Sequence, residues 1–140
     1  MAGELAYWKD GLPVTFKFML KDLAANGTTA MTGAQATPGY KVPAGYKFVP
    51  MLIGLSSSAE LDGGTCIAKV TADATAVVNG PEATIALALP KQHATAVVRE
   101  GQPASIAAGS VVCVELVASA AYSPETADLD AVVSGVMVPA

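Results

Sequence analysis

Charged residues make up only 14% of the 140-residue chain, against about 25% in a typical soluble domain. Apolar residues reach 52%, and alanine and valine dominate them. A monomer would have little charge with which to cover its surface. Burial against identical or different subunits is the expected compensation, because obligate interfaces are more apolar than ordinary protein surface. Positive charge is sparse and dispersed. The eight basic residues are Lys9, Lys17, Lys21, Lys41, Lys47, Lys69, Lys91 and Arg99, and the formal net charge is -4. Nothing concentrates cations along a phosphate backbone, so direct nucleic-acid binding is not expected. No apolar run is long enough to span a bilayer, and Met1-Ala2-Gly3-Glu4 lacks the basic start and apolar core of a secretion signal. Membrane association is therefore not expected, and synthesis in a cytoplasm is.

Residues that carry chemistry are equally scarce. The two cysteines, Cys66 and Cys113, lie in separate apolar segments and read as free thiols packed in or near a core, with a disulfide as the alternative that sequence alone does not pair. His93 is the single histidine, in a polar stretch after Pro90, with no nucleophile and orienting partner that the sequence can place beside it. Asp128 and Asp130 have the spacing to share a strand face, but the calcium-loop pattern and its terminal glutamate are missing. Two cysteines and one histidine fall short of a four-ligand zinc site within one chain. Asp62-Gly63-Gly64 lacks the length and the lysine of a phosphate loop. No catalytic, cofactor-binding or metal-ligating residue is assigned, and an enzyme is not expected.

Short β-rich runs broken by Gly, Pro, Asn and Asp make up most of the chain. They predict an all-β sandwich, jelly-roll-like, of about eight or nine strands. In residues 14–21, alternation sets Val14, Phe16, Phe18 and Leu20 on one face and Thr15, Lys17, Met19 and Lys21 on the other. Residues 1–24 read as an N-terminal strand or a docking arm, 25–138 as the sandwich domain and 139–140 as a short C-terminal end. Further strands are expected at 28–35, 46–55, 65–71, 75–78, 84–89, 95–99, 110–118 and 129–138. Pro50 demands an edge, bulge or bend in the second of these. Asn79-Gly80 is a hairpin cue whose register Pro81 blurs. Cys66, Ala68 and Val70 share a face, as do Val112, Val114 and Leu116.

Aromatic anchors are the candidate binding residues. Tyr7, Trp8, Phe16, Phe18, Tyr40 and Tyr46 suit protein interfaces. Tyr7, Trp8, Tyr40 and Tyr46 would equally stack on a carbohydrate.

Three passages carry a resemblance: Tyr7-Trp8 through Phe16-Lys17-Phe18, the turn-rich stretch from Thr37-Pro38-Gly39-Tyr40 to Ala44-Gly45-Tyr46, and Ile106-Ala107-Ala108-Gly109-Ser110-Val111-Val112-Cys113-Val114. In these the sequence resembles the small β-sandwich structural proteins of tailed-phage particles, especially capsid decoration proteins, over most of residues 7–138. The resemblance implies a subunit on the capsid exterior of a virion, often a homotrimer. Such a subunit stabilises contacts between copies of the major capsid protein, with a terminal arm reaching the capsid or a neighbour. By that analogy Trp8, Phe16 and Phe18 are interface residues. The alternatives are a head-fibre, tail or baseplate component on the same sandwich, and a carbohydrate-binding receptor-recognition module.

Overall fold

The computed structural model describes residues 11–33, 35, 37–89, 91–97 and 104–140. Ten strands occur among them: β1 Leu12–Leu20, β2 Gly27–Ala30, β3 Tyr40–Lys41, β4 Tyr46–Ser57, β5 Thr65–Ala72, β6 Thr75–Ala76, β7 Glu82–Ala86, β8 His93–Val97, β9 Val111–Ala118 and β10 Leu129–Pro139. They form two antiparallel sheets. The first has the order β1-β10-β4-β8. The second has the order β2-β9-β5-β6, with β3 also on β9 and β7 also on β5. β2 and β3 occupy one edge of β9, and β6 and β7 one edge of β5. With each such pair taken as one interrupted line, both sheets are four lines wide, in the jelly-roll-like arrangement that the sequence predicts. No helix among the described residues is long and apolar enough to cross a membrane.

The core lies between the sheets and follows the alternation. Phe18, Phe48, Ile53, Leu55, Leu129 and Val133 enter it from the first sheet; Cys66, Ala68, Val70, Val112, Val114 and Leu116 enter from the second. Residues 12–20 pair with β10 along their whole length, so this stretch is a strand of the sandwich. Its apolar face points inward as alternation requires, while Thr15, Lys17 and Met19 are exposed.

Local signals misplace several boundaries. The strand expected at 28–35 stops at Ala30, because the next two residues cross between sheets. The Met31 N–H donates to the Val114 carbonyl, and Thr32 exchanges both backbone hydrogen bonds with Met19. Asn79-Gly80 does not form a hairpin: β6 and β7, on either side of it, both pair with β5. The tight hairpin is at Asp73-Ala74, where φ is 51° and 68° and Ala72 pairs with Thr75, the geometry of a two-residue loop that normally selects glycine or asparagine. Asp73 compensates by clamping the turn to β9: its N–H donates to the Val111 carbonyl at 3.0 Å, and its carboxylate accepts the Val111 N–H at 2.9 Å. The expected strands at 84–89 and 95–99 are instead β7, ending at Ala86, and β8, starting at His93.

Pro50 lies at a bulge inside an interior strand. Register shifts there, so that Ser134 opposes Leu52 while Gly135 opposes Pro50, leaving Met51 as the extra residue. Across from it, a Cβ on Gly135 would meet the Val49 carbonyl oxygen and, at 2.8 Å, the Phe48 ring. Gly135→Ala is expected to destabilise the fold by about 3 kcal/mol or more, whereas Gly27→Ala, with open space around the position, should change stability little. Denaturant melts of the two variants check this, and equal midpoints would contradict it.

Candidate interaction surface

Of the aromatic candidates, the structure gathers Phe16, Phe18 and Tyr40. Phe16 stacks on Tyr40 with centroids 4.7 Å apart, and Phe18 meets the same ring edge-on at 5.4 Å. Phe16 also contacts Phe48 edge-on at 5.1 Å. The Tyr40 hydroxyl donates to the Lys17 carbonyl at 3.1 Å. This cluster fastens β1 and β3 to β4, and Phe18 is buried in the chain's own core. Phe16 and Tyr40 are half-buried. Tyr46 lies apart, at the start of β4 opposite Pro139. Tyr7 and Trp8 lie outside the described residues.

The outer faces of the two sheets differ in a way that periodicity alone does not reveal. On the second sheet, Lys69 opposes Glu115 on one side and Glu82 on the other, so one cross-strand row carries three charges. The first sheet turns Val49, Met51, Leu52, Val132, Val136 and Val138 outward. The bulge at Pro50 places Met51 and Leu52 side by side on this face. Charge is confined to its margins, with Lys47 at one end of the central strands, Asp130 at the other and Lys17 on the edge strand. A hollow of about 200 Å³ lies beside Gly54, bordered by Ser56, His93, Thr95, Asp130 and Val132.

That hollow places the histidine beside a serine and an aspartate, but in the wrong order for acyl-transfer chemistry. Asp130 opposes Ser56 on one side and His93 opposes it on the other, so the serine stands between its would-be helpers. A base must lie between the nucleophile and the orienting carboxylate. Among the described residues no hydrogen bond joins the three side chains. Asp128 precedes β10 and ties loops together: its carboxylate accepts the Asp22 N–H, and its N–H donates to the Ser58 hydroxyl. Among the described residues no three His, Cys, Asp or Glu side chains gather as metal ligands would.

Cys66 and Cys113 are free and buried. Cys66 faces the core from β5, while Cys113 points to the opposite side of the same sheet, where its thiol donates to the Met31 carbonyl at 3.1 Å. Cys113 opposes Thr71, five residues along β5 from Cys66, so about 17 Å of strand separates them and no disulfide can form between them in this fold. Burial pushes the Cys66 thiol up to about 12. The Tyr122 hydroxyl is buried with no hydrogen-bond partner among the described residues. Burial first, then the nearby Cys66 and Glu125 charges, raise it to about 12.

No protein-family model matches the sequence, and no curated protein sequence matches it. Solved structures do resemble the fold. A chain of the cyanophage Pam1 capsid asymmetric unit superposes with a TM-score of 0.55 at 14% identity, covering 93% of this chain and 87% of that one. A chain of the acid-stable capsid of Helicobacter pylori bacteriophage KHP30 aligns with a TM-score of 0.48 at 17% identity, over 94% and 96% of the two chains. The Pam1 likeness shows a shared fold over nearly the whole chain.

The buried thiol and phenol give stability a defined pH dependence. Below pH 9 both the folded and the unfolded chain keep these protons. Above it the unfolded chain releases the Cys66 proton near its ordinary 9.0 and the Tyr122 proton near 10.0, while the folded chain holds both to about 12. Stability should therefore fall as pH rises from 9 to 12. Thermal melts across that window check this. Cys66→Ala and Tyr122→Phe should each flatten the slope, and a profile with the same slope in all three proteins would contradict the assignment.

Proposed function

We propose that this chain is a structural protein of a virus particle, which decorates and stabilises an assembled phage capsid from the outside by binding the major capsid protein. One observation carries the reading: a charge-poor sandwich, sharing its fold with a chain of a phage capsid over most of both lengths, presents a broad apolar sheet face with charge only at its margins. The work is physical. Apolar side chains leave water at several contacts at once, and repeated attachment across a shell makes a weak local contact effective. No bond is made or broken, so the chain acts without catalysis. Self-association belongs to the same reading, three copies being what the sequence resemblance implies. Tyr7, Trp8 and Tyr46 are the aromatic residues that we assign to contacts with neighbours. Phe16 and Tyr40 add to them only the parts of their rings that the intrachain cluster leaves open.

Mass spectrometry of gradient-purified particles is expected to find the chain in fixed ratio to the major capsid protein. Its absence from particles would overturn the reading, and its recovery only with tails or fibres would move it off the shell. Within that assay, Trp8→Ala should lower retention on particles about tenfold, the scale of a lost interface anchor, while Lys91→Ala, at an exposed position, should leave it unchanged.

A further inference from the structure

We infer that the outer face of the β1-β10-β4-β8 sheet docks against the same face of a second copy of this chain, about a two-fold axis that lies between the sheets and perpendicular to the strands. The inference goes beyond the virion reading and gives to self-association the apolar face on which that reading draws; it rests on the self-complementarity of that one surface.

The pairing register supplies the argument. Along the two central strands the outward rows are Lys47 with Val138, Val49 with Val136, Leu52 with Ser134, Gly54 with Val132, and Ser56 with Asp130. A two-fold rotation of this kind reverses the strand direction, so each row meets its mirror in that series. The Leu52 row falls on the axis and packs against itself, with Met51 beside it. The Val49 row falls over the Gly54 row, so each Val49 side chain lies against Val132 of the other copy, at the border of the hollow of about 200 Å³ beside Gly54. The Lys47 row falls over the Asp130 row, which sets an ammonium near a carboxylate at both ends of the interface. The strands that bear these two residues are neighbours, so about 4.8 Å of lateral offset separates them, within reach of a lysine side chain. The charges of the two central strands then lie at the rim opposite their complements, Lys17 on the edge strand faces no carboxylate, and the axial row is uncharged, with Leu52 and Met51 beside Ser134 and Thr15. The other sheet cannot pair in this way without desolvating its Glu115-Lys69-Glu82 row.

The size of the face sets the expected strength. Four strands about 4.8 Å apart and five rows about 6.8 Å apart give a joint burial on the order of 1,000 Å². That is the lower bound of specific interfaces, and it predicts a reversible dimer rather than a permanent one. The trimer that the sequence resemblance implies would need a different surface.

Light scattering on the full chain across a concentration series tests the inference, with circular-dichroism melts confirming that each variant folds. The wild type should rise from one chain of 14.1 kDa toward twice that mass. Leu52→Asp, which sets two carboxylates on the axis, should remain a single chain throughout. Lys47→Glu and Asp130→Lys should each weaken dimerisation about tenfold, and the double variant, with the pairs restored in reversed polarity, should recover it. A single-chain wild type at all concentrations, a mass of three chains indifferent to these changes, or a double variant no better than the singles would each overturn the inference. A single-chain wild type whose particle binding is abolished by Leu52→Asp would assign the face to the capsid protein instead. An intact dimer that never joins particles would remove the virion reading and leave this one standing.

Discussion

The approach of Gly135 to the Val49 carbonyl and the Phe48 ring is the contact on which the first sheet depends. β10 is the last strand among the described residues, yet it lies in the interior of that sheet, between β1 and β4. Its registers with both neighbours have to be right together, because a one-residue slip would turn its whole buried set outward. The bulge at Pro50 absorbs the mismatch with β4, and only a residue without a side chain fits opposite it. Proline is tolerated there because a bulge already interrupts the ladder.

The same bulge shapes the surface. An extra residue on β4 brings Met51 and Leu52 to the outer side together, midway along central strands that otherwise present valine, serine and glycine between Lys47 and Asp130. A device that closes the sheet thus also enriches its exposed side in apolar area. The other sheet has no such feature along β5 and β9, and its outer side carries a lysine between two glutamates. One sandwich therefore has an outer face crossed by a charged row and an outer face whose central strands carry charge only at their ends, which gains from being covered.

The aromatic cluster shows how an interface candidate can also be a core element. Phe16 and Phe18 alternate correctly for one dry face, and that dry face belongs to the chain's own sandwich. Tyr40 reaches them from β3, a strand of two residues, and its hydroxyl closes on the Lys17 carbonyl. Large aromatic side chains near the start of a sequence carry no local mark that separates a partner's pocket from a core formed by strands far along the chain, since the area to be buried is the same in both cases.

The sequence by itself determined what depends on neighbouring residues. Alternation marked the inward faces of β1 and β9 and grouped the residues that β5 turns inward, and the low charge marked a surface in need of cover. Tertiary structure decided whatever depends on partners distant in the chain. It made Asp73-Ala74 a hairpin through a clamp on Val111, and it made Asn79-Gly80 an excursion between two strands on one edge. It set Ser56 between Asp130 and His93, and it gathered six aliphatic side chains from β4 and β10 onto one outer face. The physical reason is that side-chain alternation is a property of one strand, whereas register and the choice of neighbouring strand are fixed only when the two sheets bury their cores against each other.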